Sequence, residues 1–287
     1  MIKDISGVLP SQKIKKMIET LEINSTGAAI ETSQIQPASL DLRLGNMAYR
    51  VRASFLAGED STVKNRLTDF GLKKIDIREG AILEKGCVYI IPLMESLNLP
   101  DHISAASNAK SSIGRLDLLT RVITDNGIEF DRINNGYNGP LYAEICPRSF
   151  SVLVKPKQRL NQIRFRIGQA IISDADLTTM HLKEPLVNGN ALIDDGLGFS
   201  VDLKPKENNL VGYVAKPHTD IIDLEKINYY NPNDFWQSLE ASSGKIILDP
   251  GAFYILVSQE AVNIPSYCAA EMAPYICLLY TSYAADE

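Results

Sequence analysis

Three stretches carry residues whose types and spacing could do chemistry. In NAKSSIGRLD (108–117), Ser111 and Ser112 stand side by side between Lys110 and Arg115. The first amides of a helix have no intrahelical acceptor, so hydroxyls and cations gathered there can cradle an anion. Arginine adds a planar fork that matches phosphate oxygens. The same residues also read as an ordinary capped helix start. In GYNGPLYAEI (136–145), a strand would put Leu141, Ala143 and Ile145 on one face and Tyr142, Glu144 and Cys146 on the other. Glu144 is then either a solvent-facing residue of a half-exposed strand or a carboxylate at a pocket wall, placed for proton transfer. In RLNQIRFRIG (159–168), Ile163, Phe165 and Ile167 alternate with Arg164 and Arg166. Gln162 falls on the arginine side, where its amide could meet a base or a phosphate.

These residues need strands to hold them. From residue 35 onward the hydrophobic period is two. IQPASLDLRLG (35–45) sets Leu40, Leu42 and Leu44 against Asp41 and Arg43. CVYIIPL (87–93), GPLYAEICP (139–147), SFSVLVKP (149–156) and NQIRFRIGQAII (161–172) are rich in Val, Ile, Tyr and Phe, punctuated by Gly, Pro and Asn. The pattern predicts many short strands in a mainly antiparallel β-domain, barrel or sandwich. PSQKIKKMIETLEI (10–23) predicts a short helix capped by Ser11, with Ile14, Met17, Ile18 and Leu21 on one stripe. VKNRLTDFG (63–71) and DLEKINYYNPNDFW (223–236) read as loops or edge structure.

An internal repeat is visible. AILEKGCVYIIPLMESLNLP (81–100) and IILDPGAFYILVSQEAVNIP (246–265) share Ile-Leu, Gly, Tyr-Ile and a closing Pro at a constant offset. SLDLR (39–43) recurs as SVDLK (200–204). The expectation is a site-carrying domain over residues 1–190, a partial second copy over 191–275, and a non-native tail at 276–287 that leaves the copy truncated.

Composition narrows the function classes. Of the 287 residues, 45% are hydrophobic and 22% charged, an ordinary globular balance for about two domains. A net charge of -6 argues against nucleic acid as a partner but leaves room for a small anionic ligand. There is no membrane-length apolar run and no signal-peptide core, so a cytoplasmic location with no membrane partner is expected. Cys87, Cys146, Cys268 and Cys277 form no CxxC pair. His102, His181 and His218 lie in no H-x-E, and no P-C-x-x-C follows, so the zinc-deaminase signature is missing.

Taken in order, IQPASLDLRLG (35–45), SNAKSSIGRLDLLTRVIT (107–124), INNGYNGPLYAEI (133–145) and RLNQIRF (159–165) resemble the dCTP deaminase family of the dUTPase-like superfamily. The tandem arrangement resembles a longer subgroup of it. The resemblance implies a distorted β-barrel or jelly-roll-like, β-clip domain with short helices. It gives Lys110, Ser111 and Ser112 to the triphosphate. Arg115, with Ser112, would hold the catalytic water and the glutamate. Glu144 would be the catalytic glutamate, Gln162 a nucleotide contact, and Thr124 the residue whose backbone meets the cytosine ring.

One departure stands out. The family usually has Ile-Asp-Pro-Gly-Trp before the catalytic strand, where this chain has Ile133-Asn134-Asn135-Gly136-Tyr137 after a longer stretch, DNGIEFD (125–131). Either Asp131 or Asn134 would then meet the sugar. The family's C-terminal phosphate-binding segment is not evident after residue 170. The implied activity is hydrolytic deamination of dCTP to dUTP and ammonia. Glu144 would activate the water without zinc, Mg2+ would be carried on the triphosphate, and the homo-oligomer would be a trimer with sites between subunits. The alternatives are a dUTP diphosphatase or bifunctional enzyme, and a non-catalytic nucleotide-binding module or inactive fragment.

Overall fold

The computed structural model describes residues 6–204, 210–241 and 244–273. The tail expected at 276–287 lies outside the described residues. Helix α1 spans Ser11–Glu19. The strands that matter most here are β1 (Leu40–Arg43), β2 (Met47–Val51), β3 (Val88–Asn98), β4 (Ile103–Ala109), β5 (Leu118–Thr124), β6 (Asn138–Pro147) and β7 (Arg159–Ile167). The fold is mainly β.

Two antiparallel sheets in the first compact unit hold these strands. In one, β7 pairs with β1 and with β4, and β4 pairs with the short strand Arg132–Ile133. In the other the order runs Gly71–Asp76, β2, β3, β6, β5. The core is built from the apolar faces of these strands, with Leu40, Leu42, Leu141, Ala143, Ile163 and Phe165 all fully buried. The alternation of leucines along β1 thus marks the core as expected. The opposite face of β1 is not solvated, however. Asp41 and Arg43 are 1% and 0% exposed, because each has a partner of opposite charge.

Arg43 is the largest buried polar side chain and it is fully satisfied. Its Nε donates to Glu95 Oε1 at 2.7 Å. Its two remaining nitrogens donate to the Ala29 carbonyl at 2.9 Å, to Ser25 Oγ at 2.7 Å and to the Ala28 carbonyl at 3.0 Å. Glu95 Oε2 accepts the Arg43 backbone N–H at 2.7 Å, and Gln34 Nε2 donates to Glu95 Oε1. One ion pair therefore ties β1, β3 and the 25–34 segment together.

Helix α1 ends at Glu19, and Pro10, not Ser11, stands at its N-cap. Ile14 and Met17 are buried as expected, but Leu21 is 63% exposed, because it follows the helix end at φ +61°. Val63–Phe70, read above as loop, is helix α2. Thr62 caps it, its side chain accepting the Asn65 N–H at 3.2 Å. Pro232–Phe235 is likewise a helical turn, capped by Asn231. The compact units do not follow chain order. Gly212–Leu239 and Ile247–Ile255 cluster with the first unit, which runs to Ala170. Phe150 packs edge-on against Phe235 and Trp236 there. The second unit comprises Ile171–Val211, Glu240–Ile246 and the chain from Leu256. Helix α3, in the first unit, is the single turn Ser111–Gly114.

Removing one partner of a buried ion pair leaves an uncompensated charge, at a cost of about 3–5 kcal/mol. Glu95→Ala should therefore lower unfolding free energy in urea by about that much. Arg50→Ala, which breaks the exposed pair with Glu84, should leave the midpoint unchanged.

Candidate active site

Glu144 sits in the middle of β6 and is 2% exposed. The alternation that sends Leu141, Ala143 and Ile145 into the main core sends Glu144 to the other face. That face is covered by a second, smaller apolar cluster that includes Val51, Phe55 and Ile123, with Phe130 and Tyr142 packed against it. A carboxylate removed from water needs charge and hydrogen-bond partners. The β5–β6 register provides the first by placing Arg121 directly opposite Glu144.

Arg121 Nε donates to Glu144 Oε1 at 3.2 Å, and Nη2 donates to the same oxygen at 2.5 Å. Ser54 Oγ donates to Glu144 Oε2 at 2.8 Å and accepts from Arg121 Nη2 at 3.0 Å. The guanidinium carbon lies 3.6 Å from the centroid of the Phe130 ring, a cation–π contact.

Phe130 belongs to the longer 125–131 stretch, which is pinned to residues 58–63. Gly58 N–H donates to the Gly127 carbonyl at 3.0 Å and Asn126 N–H to the Ser61 carbonyl at 2.9 Å. Val63 N–H donates to Asp125 Oδ1 at 2.8 Å. A Cβ at position 127 would come within 2.6 Å of Thr124 Oγ1, so glycine lets the chain fold back over the end of β5.

The anion-binding candidates lie where the chain crosses from one sheet to the other, since α3 joins β4 to β5. Lys110 Nζ forms an ion pair with the buried Asp41 carboxylate of β1, and its backbone N–H donates to the Leu160 carbonyl at 2.9 Å. Asp41 is the register partner of Gln162 on β7, and Gln162 Oε1 accepts from Ser39 Oγ at 3.2 Å. Ser111, Ser112 and Arg115 are exposed. Arg115 Nε donates to the Ser111 carbonyl at 3.3 Å. The two sheets are tied beside this crossing by Thr120 Oγ1, which donates to Asn161 Oδ1 at 2.6 Å.

A family model described as the 2'-deoxycytidine 5'-triphosphate deaminase N-terminal domain matches residues 5–169, more than half of the chain. The chain belongs to the dCTP deaminase family. The C-terminal domain model of that family matches residues 173–282. The dCTP deaminase, dUMP-forming, of Nanoarchaeum equitans is 32% identical over 180 residues, covering 56% of this chain and 85% of that protein. The protein of the same description from Sulfurihydrogenibium sp. is 31% identical over 163 residues, covering 55% and 82%. The crystal structure of 2'-deoxycytidine 5'-triphosphate deaminase from Agrobacterium tumefaciens superposes with a TM-score of 0.86 at 48% identity, over 91% of this chain and 78% of that one.

Within this dCTP deaminase fold the predicted residues fall into two groups. Lys110 and Gln162 meet at Asp41. Glu144 is held separately, and among the described residues its cation is Arg121, where the resemblance implied Arg115. Arg121, Ser54, Asp41 and Asn161 were not singled out from sequence. Arg121 becomes visible only once the register is known. Thr124 is buried opposite Leu141. Asn134 is exposed in the turn before β6, its carbonyl accepting the Tyr137 N–H at 3.3 Å. Among the described residues no His, Cys, Asp and Glu side chains gather in a group that could hold a metal ion, and no helix is long and apolar enough to cross a membrane.

Asp131 joins the Glu144 group. It adopts φ +60°, a region Asp tolerates better than most residues. Its backbone N–H donates to the Val122 carbonyl at 2.8 Å, its carbonyl accepts the Ser107 N–H at 2.8 Å, and its Oδ1 accepts the Val122 N–H at 2.8 Å. Burial pushes its carboxyl up to about 7. The Val122 N–H and the Arg121 cation oppose the rise, and the Glu144 charge adds to it. A carboxyl whose folded pKa is raised binds its proton more tightly in the folded state than in the unfolded chain. Its stabilising contribution is complete below the unfolded value of about 3.9 and is lost as pH rises through about 7. Asp131→Asn keeps the acceptor for Val122 but cannot ionise. Its melting temperature should exceed that of the parent by about 4 °C or more at pH 8, the gap closing toward pH 5. A gap constant across that range would show that Asp131 does not titrate there.

Proposed function

We propose that this chain adds water to C4 of the cytosine ring of dCTP and expels ammonia, giving dUTP, with Glu144 as the proton carrier. The observation that carries this reading is the buried Glu144 carboxylate, held in fixed geometry on β6 by Arg121 and Ser54, within a chain of the dCTP deaminase family. Glu144 takes one proton from water as the water oxygen bonds to C4, and passes it to N3. The second proton, on the hydroxyl of the adduct, leaves with the amine. The C4–N bond breaks, C4 becomes a carbonyl and ammonia departs.

General acid–base transfer contributes about 10²–10⁴-fold, and enzymes need at least about 10⁶-fold. Positioning must supply the remainder, drawing on binding of the remote triphosphate. In this reading Lys110, Ser111 and Ser112 grip the phosphates, Gln162 contacts the nucleotide, and Mg2+ rides on the triphosphate oxygens. Thr124 presents its backbone to the base, and Asp131 or Asn134 meets the sugar. Arg115, exposed on the single chain, completes a site shared with another copy in a homotrimer. The enzyme works in the cytoplasm.

A second reading is bifunctional: deamination followed by hydrolysis at the α-phosphate to release dUMP and pyrophosphate. It is favoured by the dUMP-forming description of the two relatives and by a second carboxylate, Asp131, beside Glu144. Ammonia and pyrophosphate assayed together on dCTP, and then on dUTP, separate the two readings. Glu144→Gln should lower ammonia release by at least about 10²-fold while dCTP binding stays within a few-fold of the parent. Full turnover by that variant would remove Glu144 from its role. Nucleotide binding by the parent without turnover would support a non-catalytic module.

A further inference from the structure

We infer that Arg121 is a positioning residue for Glu144, and that it makes Oε2 the oxygen through which the proton moves. The inference rests on the reading of Glu144 as proton carrier and deepens it.

A carboxylate oxygen has two lone-pair sites. Both sites of Oε1 are taken, by Arg121 Nε and Nη2. Among the described residues Oε2 accepts one hydrogen bond, from Ser54, which leaves one site on Oε2 for water. The guanidinium is a rigid plane, and two nitrogens on one oxygen fix both the distance and the rotation of the carboxylate. Arg121 is itself held on three sides. It is on a strand paired residue for residue with β6, its face rests on Phe130, and its Nη2 also reaches Ser54. The charged and titratable groups around Glu144 include Arg121, Asp131 and Cys146, with the Ser54 hydroxyl between Arg121 and Oε2. The shelf under Arg121 comes from the 125–131 stretch, so that stretch serves the base as well as lengthening a loop.

A group that only stabilised the fold would change melting temperature and protein yield. A group that aims the base changes kcat while KM stays nearly constant, and its loss can be repaired by a small ion that refills its place. Arg121→Lys keeps the positive charge and should fold, but it cannot present two coplanar donors. We expect its kcat for ammonia release from dCTP to fall about tenfold, with KM within about threefold of the parent. Arg121→Ala should lose about 10²-fold or more in kcat. Added guanidinium ion, bound between Phe130 and Glu144, should recover at least about fivefold of that loss, and tetramethylammonium at the same concentration should recover none.

Parental kcat in Arg121→Lys overturns the inference. So does an Arg121→Ala protein that melts like the parent yet shows no response to guanidinium. Glu144→Gln, assayed alongside, separates the two levels. Turnover by that variant strikes the proposed function itself. A dead Glu144→Gln beside a fully active Arg121→Lys strikes only the role given to Arg121.

Discussion

The pairing register between β5 and β6 is the constraint on which the site depends. Seven consecutive residues of β6 face seven of β5, from Leu141 opposite Thr124 to Pro147 opposite Leu118. A strand has a side-chain period of two, so a slip of one residue would exchange its faces. Glu144 would enter the apolar core, and Leu141, Ala143 and Ile145 would leave it. The packing of those three residues in the core therefore enforces the alignment that sets Arg121 across from Glu144. The geometry of the base is a by-product of hydrophobic burial on the far side of the same strand.

The other buried charges follow a related logic at different depths. Arg43 and Glu95 join β1, β3 and the 25–34 segment through direct hydrogen bonds, which suits a structural anchor. Glu144 is as buried as Glu95, but its partners come from one strand, one loop serine and a stacked phenylalanine. The two carboxylates thus differ in the elements that hold them, not in burial.

Much of the fold was legible in the sequence, because period-two patterning survives wherever one strand face enters the core. The leucines of 40–44, the Leu-Ala-Ile face of 141–145 and the Ile-Phe face of 163–165 all marked buried faces. The reading failed where polar residues were buried in pairs. The alternation left the fate of Asp41 and Arg43 open, because a single chain of letters does not show their partners, Lys110 and Glu95, 69 and 52 residues away. Helix α2 was missed although Thr62 offered a cap, because a two-turn helix with few buried residues leaves too weak a periodic signal. In the candidate site, Lys110, Glu144 and Gln162 were proposed from motif order. Arg121 was not, because the connection from β5 to β6 includes the 125–131 stretch and the Arg132–Ile133 strand of the other sheet. A tight turn would have set the register by its length, and no such turn exists here.

The ion pair beneath Lys110 bears on turnover as well as on affinity. Substrate and product of a deamination carry the same triphosphate, so whatever holds dCTP by its phosphates also retains dUTP. Interactions that are equal in ground state, transition state and product do not speed the chemical step, and they slow departure. If Lys110 grips the phosphates as proposed, the buried Asp41 paired with it would temper the positive potential there, so that the anion is guided in without being trapped. On this view the carboxylate under the phosphate grip is a release device, tuned to a reaction that changes one ring atom and leaves the ligand's charge untouched.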